Sequence, residues 1–186
     1  MFCIVESVMD KVGNRGRLFF DSLCSFQRNC IFDVLSVAPI SNHIAFIMDG
    51  NRRYAKKWNM VESAGHRVGF LALILILRYC YELGLKYETV YAFSIDNLKR
   101  KPEEVQALMD LMEEKIEGLM KEESIVNCYG VRVHFIGNLK FLNKSVMVAT
   151  ERVIVATANN SKVVLSICVA YTSTDEIVNT IQRSCD

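Results

Sequence analysis

Four short apolar runs, residues 43–48, 88–95, 131–136 and 162–170, are separated by stretches of helical period, and that alternation is what most narrows the folds open to this chain. Strands joined through helices run parallel, because a same-direction return needs a long crossover, and parallel strands bury both faces under helices. The expected fold is therefore α/β, a parallel sheet covered by helices on both faces. Pro39 marks the entry to the first strand, and Gly84 stands just past a helix expected over Gly65–Leu83. Pro102-Glu103-Glu104 opens another helix, with proline and acids in its first turn. Val105, Leu108, Met109, Met112, Ile116 and Leu119 continue it as one apolar stripe. Lys144–Ala158 reads as a third helix, and Ser173 with Glu176 as a capping box opening the last.

Within Gly65–Leu83, the run Phe70–Leu77 is apolar around nearly the whole helical circumference. A helix of that kind is expected to be buried on more than one side, either as a central core element or as the wall of an apolar tunnel. The run without charges, Val68–Leu77 between Arg67 and Arg78, is too short to span a bilayer.

A length of 186 residues and a hydrophobic content of 51% suit one domain with a sizeable core. The net charge of +1 gives no footprint for nucleic acid. Basic residues bunch instead at Arg52–Lys57 and Lys99–Lys101, which suits a small anionic ligand better than a polymer. Seven cysteines without a Cys-x-x-Cys or metal-ligand spacing read as free, largely buried thiols of a reducing compartment, and no zinc site is expected. Residues 1–40 form an N-terminal extension ahead of a domain over 41–186. Phe19, Leu23, Phe26 and Cys30 recur at helical spacing within Val12–Leu35, among Lys11, Arg15, Arg17 and Arg28. Two readings stay open for it: an amphipathic helix at a membrane interface, or one packed on the domain or a partner. The pattern of a secretory signal is missing.

The first apolar run ends abruptly in Asp49-Gly50-Asn51-Arg52-Arg53, followed by Tyr54 and then Lys56-Lys57. In open α/β sheets the ligand crevice lies beyond the carboxyl ends of the strands. A carboxylate able to hold a divalent cation, beside guanidiniums that fork onto phosphate oxygens, fits a metal–diphosphate there. The plain alternative is a strand end followed by a solvated basic turn. A Gly-x-Gly-x-x-Gly or Walker-type loop is lacking, which disfavours an unrelated phosphate-binding α/β protein.

The run from His43 through Ala45-Phe46, Met48-Asp49-Gly50-Asn51-Arg52-Arg53-Tyr54-Ala55-Lys56-Lys57, with Gly65-His66 and Gly69-Phe70 following, closely resembles the first signature block of the cis-prenyltransferases. These include undecaprenyl and dehydrodolichyl diphosphate synthases and plant rubber-type enzymes. Arg52-Arg53-Tyr54, where bacterial members carry Gly-Arg-Trp, resembles the eukaryotic branch. A second block, Tyr91-Ala92-Phe93-Ser94-Ile95-Asp96-Asn97-Leu98-Lys99-Arg100-Lys101-Pro102, matches as well.

The resemblance implies condensation of isopentenyl diphosphate onto an allylic diphosphate such as farnesyl diphosphate, giving a long-chain polyprenyl diphosphate. It implies Mg2+ at Asp49, the catalytic carboxylate, and an allylic diphosphate cradle of Gly50, Asn51, Arg52 and Arg53. Tyr54 packs on substrate or core; Ser94 contacts substrate, Asn97 with Asn51 helps handle the proton, and Arg100 binds diphosphate. His66 either hydrogen-bonds diphosphate and relays a proton or is a structural hydrogen-bonding group, while His43 and His134 read as structural. The product tunnel would be set by side chains such as Leu71, Leu75, Leu108 and Met112. Partners implied are a second copy or a non-catalytic subunit, in a cytoplasmic protein associated peripherally with the endoplasmic reticulum membrane.

Two departures qualify the resemblance. Bacterial members carry an arginine where this chain has Glu62, so that position supplies no phosphate-binding cation. The later family motifs, an Arg-Thr-Ser-Gly-Glu-like block for isopentenyl diphosphate and a further metal-site acid, have no counterpart before Asp186. The expectation is that this chain alone binds allylic diphosphate yet turns over poorly. The second reading is a non-catalytic module that binds allylic diphosphate or dimerises with a full-length enzyme or its partner.

Overall fold

The structure is a computed structural model that describes residues 30, 31, 33, 34, 37, 39–121 and 124–185. The chain divides into two units, Met1–Ile40 and Ser41–Asp186. In the first unit the described residues 30, 31, 33 and 34 are helical; the remainder of the helix expected over Val12–Leu35 lies outside the described residues.

The second unit alternates β1 (His43–Ile47), α1 (Asn51–Lys57), α2 (Glu62–Glu82), β2 (Tyr87–Ser94), a 3-10 turn (Ile95–Lys99), α3 (Pro102–Gly118), α4 (Ile125–Tyr129), β3 (Val131–Ile136), a 3-10 turn (Leu139–Phe141), α5 (Lys144–Thr157), β4 (Val163–Tyr171) and α6 (Ser173–Cys185). The strands form one sheet in the order β1-β2-β4-β3. All three pairings are parallel, as the strand–helix alternation predicts. Registered residues of a parallel sheet share a face, and one row across it reads Phe46, Val90, Ile167, Phe135.

That face is the core. Val131 and Val133 are buried while Arg132 and His134, alternating with them, are exposed. Leu73 and Leu77 of α2, Met109 and Ile116 of α3, Val126 of α4 and Val146 and Val153 of α5 pack with it. The alternate side carries His43, Tyr87 and Arg132 in one row and Ala45 and His134 in the next, all exposed. At about 25 cal/mol per Å2, each fully buried Val or Leu of the core face contributes of the order of 1.5–3 kcal/mol.

Element boundaries differ from the sequence reading in instructive places. α2 begins at Glu62, one turn before Gly65, because Glu62-Ser63-Ala64 continue the helix backward from the apolar run. It ends as expected: the Gly84 N–H donates to the Tyr81 carbonyl and the Leu85 N–H to the Cys80 carbonyl. At α6 the cap is Thr172, whose hydroxyl accepts from the Asp175 N–H, so the cap stands one residue before the expected Ser173. α2 buries one side only: Leu71 is 61% exposed and Ile76 41%. By length and composition α2 could cross a membrane, yet it packs on α1 and α3 as a core element.

Glu88 is the one carboxylate among the buried residues described, where Thr150 and Thr157 are the other polar side chains. It shares the inward row with Ile44, Leu165 and Val133 and is fully buried near Cys80 and Tyr81 of α2. Burial pushes its carboxyl up to about 7, with Tyr81 and Cys80 pulling in the opposite sense. The Cys80 thiol in turn is pushed up to about 11 by burial and by the Glu88 charge.

Candidate active site

β1 ends at Ile47, and the chain turns through Met48-Asp49-Gly50 straight into α1. Gly50 makes that turn with φ 86, a left-handed conformation that an L side chain adopts only with strain. Its N–H is bonded to the Asp49 carboxylate, and its carbonyl accepts from the Tyr54 N–H at 2.9 Å, the first bond of α1. Asp49 is also paired with Arg53 at 3.0 Å, both side chains about four-fifths exposed (78% and 80%). Arg52 reaches the other way, toward Glu104 in the first turn of α3, at 3.9 Å.

A crevice of about 210 Å3 gathers Met48, Asp49, Gly50, Asn51, Arg52, Arg53, His66 and Arg100. Arginines from three positions therefore face one carboxylate and one imidazole at the carboxyl end of β1. The His66 pKa is lowered, first by burial and then by Arg100, with Glu62 pulling the opposite way and Arg52 adding the smallest downward push. His66 is thus neutral at pH 7, and its Nδ1 lies 3.3 Å from the Asn51 amide nitrogen. With Nδ1 accepting from that amide, Nε2 carries the proton and is a donor suited to a phosphate oxygen.

The crevice adjoins an apolar cavity of about 150 Å3 under α2 and α3, floored by Val90, Ile167 and Phe135. Met48, Asn51 and His66 line both spaces. Leu108 and Met112 line the cavity as the tunnel reading expects, whereas Leu71 and Leu75 do not; Phe70, Leu73, Ile74 and Leu77 take that role on α2. The correction follows from helical phase, since Leu71 and Leu75 project one residue away from the stripe facing the sheet. Arg67 crosses from α2 to Glu114 of α3 at 2.7 Å, and Lys115 sits over the Phe70 ring at 5.1 Å, tying the two cavity walls together.

Ser94 and Asn97 sit at the carboxyl end of β2 in a reciprocal cap: the Asp96 N–H donates to Ser94 Oγ, and the Ser94 N–H donates to Asn97 Oδ1. Ser94 lines a separate polar groove with Asp96, Lys99 and Thr172 to Asp175, rather than the Asp49 crevice. Tyr54 lines neither cavity nor crevice and lies against Trp58, with ring centroids 6.3 Å apart. Met48 and Glu104 are site residues that the motif reading did not single out. Met48 was findable, being in phase with the inward Ile44 and Phe46.

For a divalent cation the protein side-chain ligands among the described residues are few. Among the described residues no three His, Cys, Asp or Glu side chains gather in one place. Magnesium, however, is commonly bound through one or two carboxylates plus phosphate oxygens and water. Asp49, exposed at the mouth of an arginine-lined crevice, fits that role as the single protein ligand.

Residues 47–186 match the family model described as "Putative undecaprenyl diphosphate synthase". A dehydrodolichyl diphosphate synthase of Solanum lycopersicum is 64% identical over 166 residues, covering 89% of this chain and 57% of that protein. A dehydrodolichyl diphosphate synthase complex subunit of Homo sapiens is 42% identical over 161 residues, covering 87% and 48%. Among solved structures, lavandulyl diphosphate synthase from Lavandula x intermedia, in complex with dimethylallyl diphosphate, superposes with a TM-score of 0.68 at 26% identity, over 77% of this chain and 61% of that one. The chain thus spans less than two thirds of the length of these relatives.

Proposed function

The chain belongs to the undecaprenyl diphosphate synthase family of prenyltransferases, and we propose that it carries the allylic half of a cis-prenyltransferase site, extending farnesyl diphosphate or a similar allylic diphosphate with isopentenyl diphosphate. One observation carries the reading. A crevice lined by Asp49, Arg52, Arg53, His66 and Arg100 shares Met48, Asn51 and His66 with an apolar cavity. A charged head on an isoprenoid tail has that same division.

In this reaction the allylic carbon–oxygen bond breaks and its electron pair leaves with diphosphate. The allylic carbon then bonds to the terminal alkene carbon of isopentenyl diphosphate, which loses one proton. Arg52, Arg53 and Arg100 meet the charge that grows on the leaving diphosphate. The neutral His66 donates from Nε2 to an oxygen without adding charge, and Asn51 holds its ring. Magnesium held through Asp49 and the diphosphate oxygens would neutralise the leaving group further. Cavity residues such as Leu73, Leu108 and Met112 exclude water from the allylic tail.

We also infer association with a further subunit, supported by the human relative being a complex subunit, and a peripheral membrane location suited to an insoluble product. The test is incorporation of labelled isopentenyl diphosphate into farnesyl diphosphate with magnesium, on the wild-type chain and Asp49→Ala. Incorporation that Asp49→Ala reduces at least 100-fold supports the enzyme reading. Farnesyl diphosphate binding without incorporation favours the non-catalytic module, and neither binding nor incorporation by a folded chain overturns the proposal.

A further inference from the structure

α1 lies across α2 at two glycines one turn apart, Gly65 and Gly69. A Cβ built on Gly65 would meet the Asn51 backbone carbonyl oxygen and, at 2.9 Å, the Ala55 Cβ. The three atoms nearest a Cβ built on Gly69 all belong to the Asn51 side chain: it would overlap Oδ1 and stand 2.9 Å from Cγ and 3.3 Å from Nδ2. The two glycines therefore do different things. Gly65 lets the α1 backbone approach α2, whereas Gly69 leaves room for one carboxamide.

We propose that Gly69 is a positioning residue for the allylic diphosphate site: its bare Cα forms the seat on which the Asn51 carboxamide lies, and that seat holds the amide against His66 Nδ1. Asn51 borders both the crevice and the cavity, so the seat fixes the group where head and tail of the ligand meet. Because the amide donates to Nδ1, the seat also selects the His66 tautomer with its proton on Nε2. Any β-carbon at position 69 displaces the amide, and the imidazole loses the partner that fixes its tautomer. The functional part rests on the crevice being the allylic diphosphate site; the seat itself does not.

The variants are Gly69→Ala, Asn51→Ala and the double substitution, with Leu71→Ala as an exposed control on the same helix. Ring 15N shifts of His66 at pH 8, assigned by substituting each of the three histidines in turn, read the tautomer. The wild type is expected to show the Nε2–H form, Gly69→Ala a mixture of both tautomers, and Leu71→Ala the wild-type spectrum. Denaturant unfolding is expected to show that Gly69→Ala destabilises the chain with Asn51 present and not in the Asn51→Ala background. If Gly69→Ala alone does not fold, the double variant still must. Gly69→Ala is further expected to weaken farnesyl diphosphate binding about tenfold. An unchanged tautomer, or equal destabilisation in both backgrounds, overturns the seat. A wild type that binds no farnesyl diphosphate while the tautomer and coupling results hold overturns the functional reading alone.

Discussion

Arg100 joins two properties of the site that a single substitution can separate. Its guanidinium lines the crevice, and its charge is the second cause, after burial, of the lowered His66 pKa. Removing it takes one charge-assisted contact from a bound diphosphate, a loss of the order of 1.5–3 kcal/mol or at least tenfold in affinity. It also removes a positive charge that disfavours imidazolium, so the His66 pKa must rise in Arg100→Ala, which NMR titration of the ring measures directly. An unchanged titration would mean that Arg100 does not face His66. At this scale the sequence was most informative where chemistry is written in residue type: Asp49, Arg52 and Arg53 stand where the apolar run stops. It was least informative where the effect depends on a neighbour from another segment. The Arg52–Glu104 pair and the room left by Gly69 for Asn51 are relations across segments, and neither has a local signature.

Among elements, the contact of β2 with α2 holds a charge-sensitive group. Glu88 titrates near 7 in the folded chain against an ordinary value of 4.5. The folded state therefore keeps a proton that the unfolded state has released over that interval. The sign follows: stability is fully present below about 4.5 and falls as pH rises through 7, by about 1.4 kcal/mol per unit and of the order of 3 kcal/mol in all. Glu88→Gln cannot ionise, so the wild type should lose urea-unfolding stability relative to Glu88→Gln as pH rises from 5.5 to 7, the contribution of His66 being common to both. Parallel pH profiles for the two proteins would contradict the assignment. The strand containing Glu88 was legible from its β-branched and aromatic residues, but the inward phase of Glu88 was not. A carboxylate in an apolar run reads as an outward residue until the parallel register places it beside Leu165 and in line with Val133. Helical phase caused the same difficulty in α2: a run apolar on every side does not say which stripe faces the sheet. Phe70, Leu73 and Leu77 line the cavity, and Leu71 faces outward.

For the whole unit over 41–186, the parallel order β1-β2-β4-β3 brings the carboxyl ends of β1 and β2 together, so two motifs about forty residues apart in sequence contribute to neighbouring walls. α2 and α3 then roof the core face and enclose the apolar cavity beside the arginines. The alternation of strands and helices was enough to foresee the parallel pairing and the carboxyl-end crevice, whereas the helical cover expected on both faces is found among the described residues on the core face, with His43, Tyr87, Arg132 and His134 of the other face exposed. The strand order was not foreseeable, because each crossover can return to either side of its predecessor.

That crevice and cavity serve a single ligand is the central claim, and calorimetric titration with magnesium tests it most directly by comparing farnesyl diphosphate with inorganic diphosphate. Farnesyl diphosphate should bind at least tenfold more tightly, a gain of about 1.4 kcal/mol from the tail. Leu108→Asp, which puts a charge in the cavity wall, should remove that gain and leave inorganic diphosphate binding intact. Equal affinity for the two ligands in the wild type, or a gain that survives Leu108→Asp, would contradict the claim.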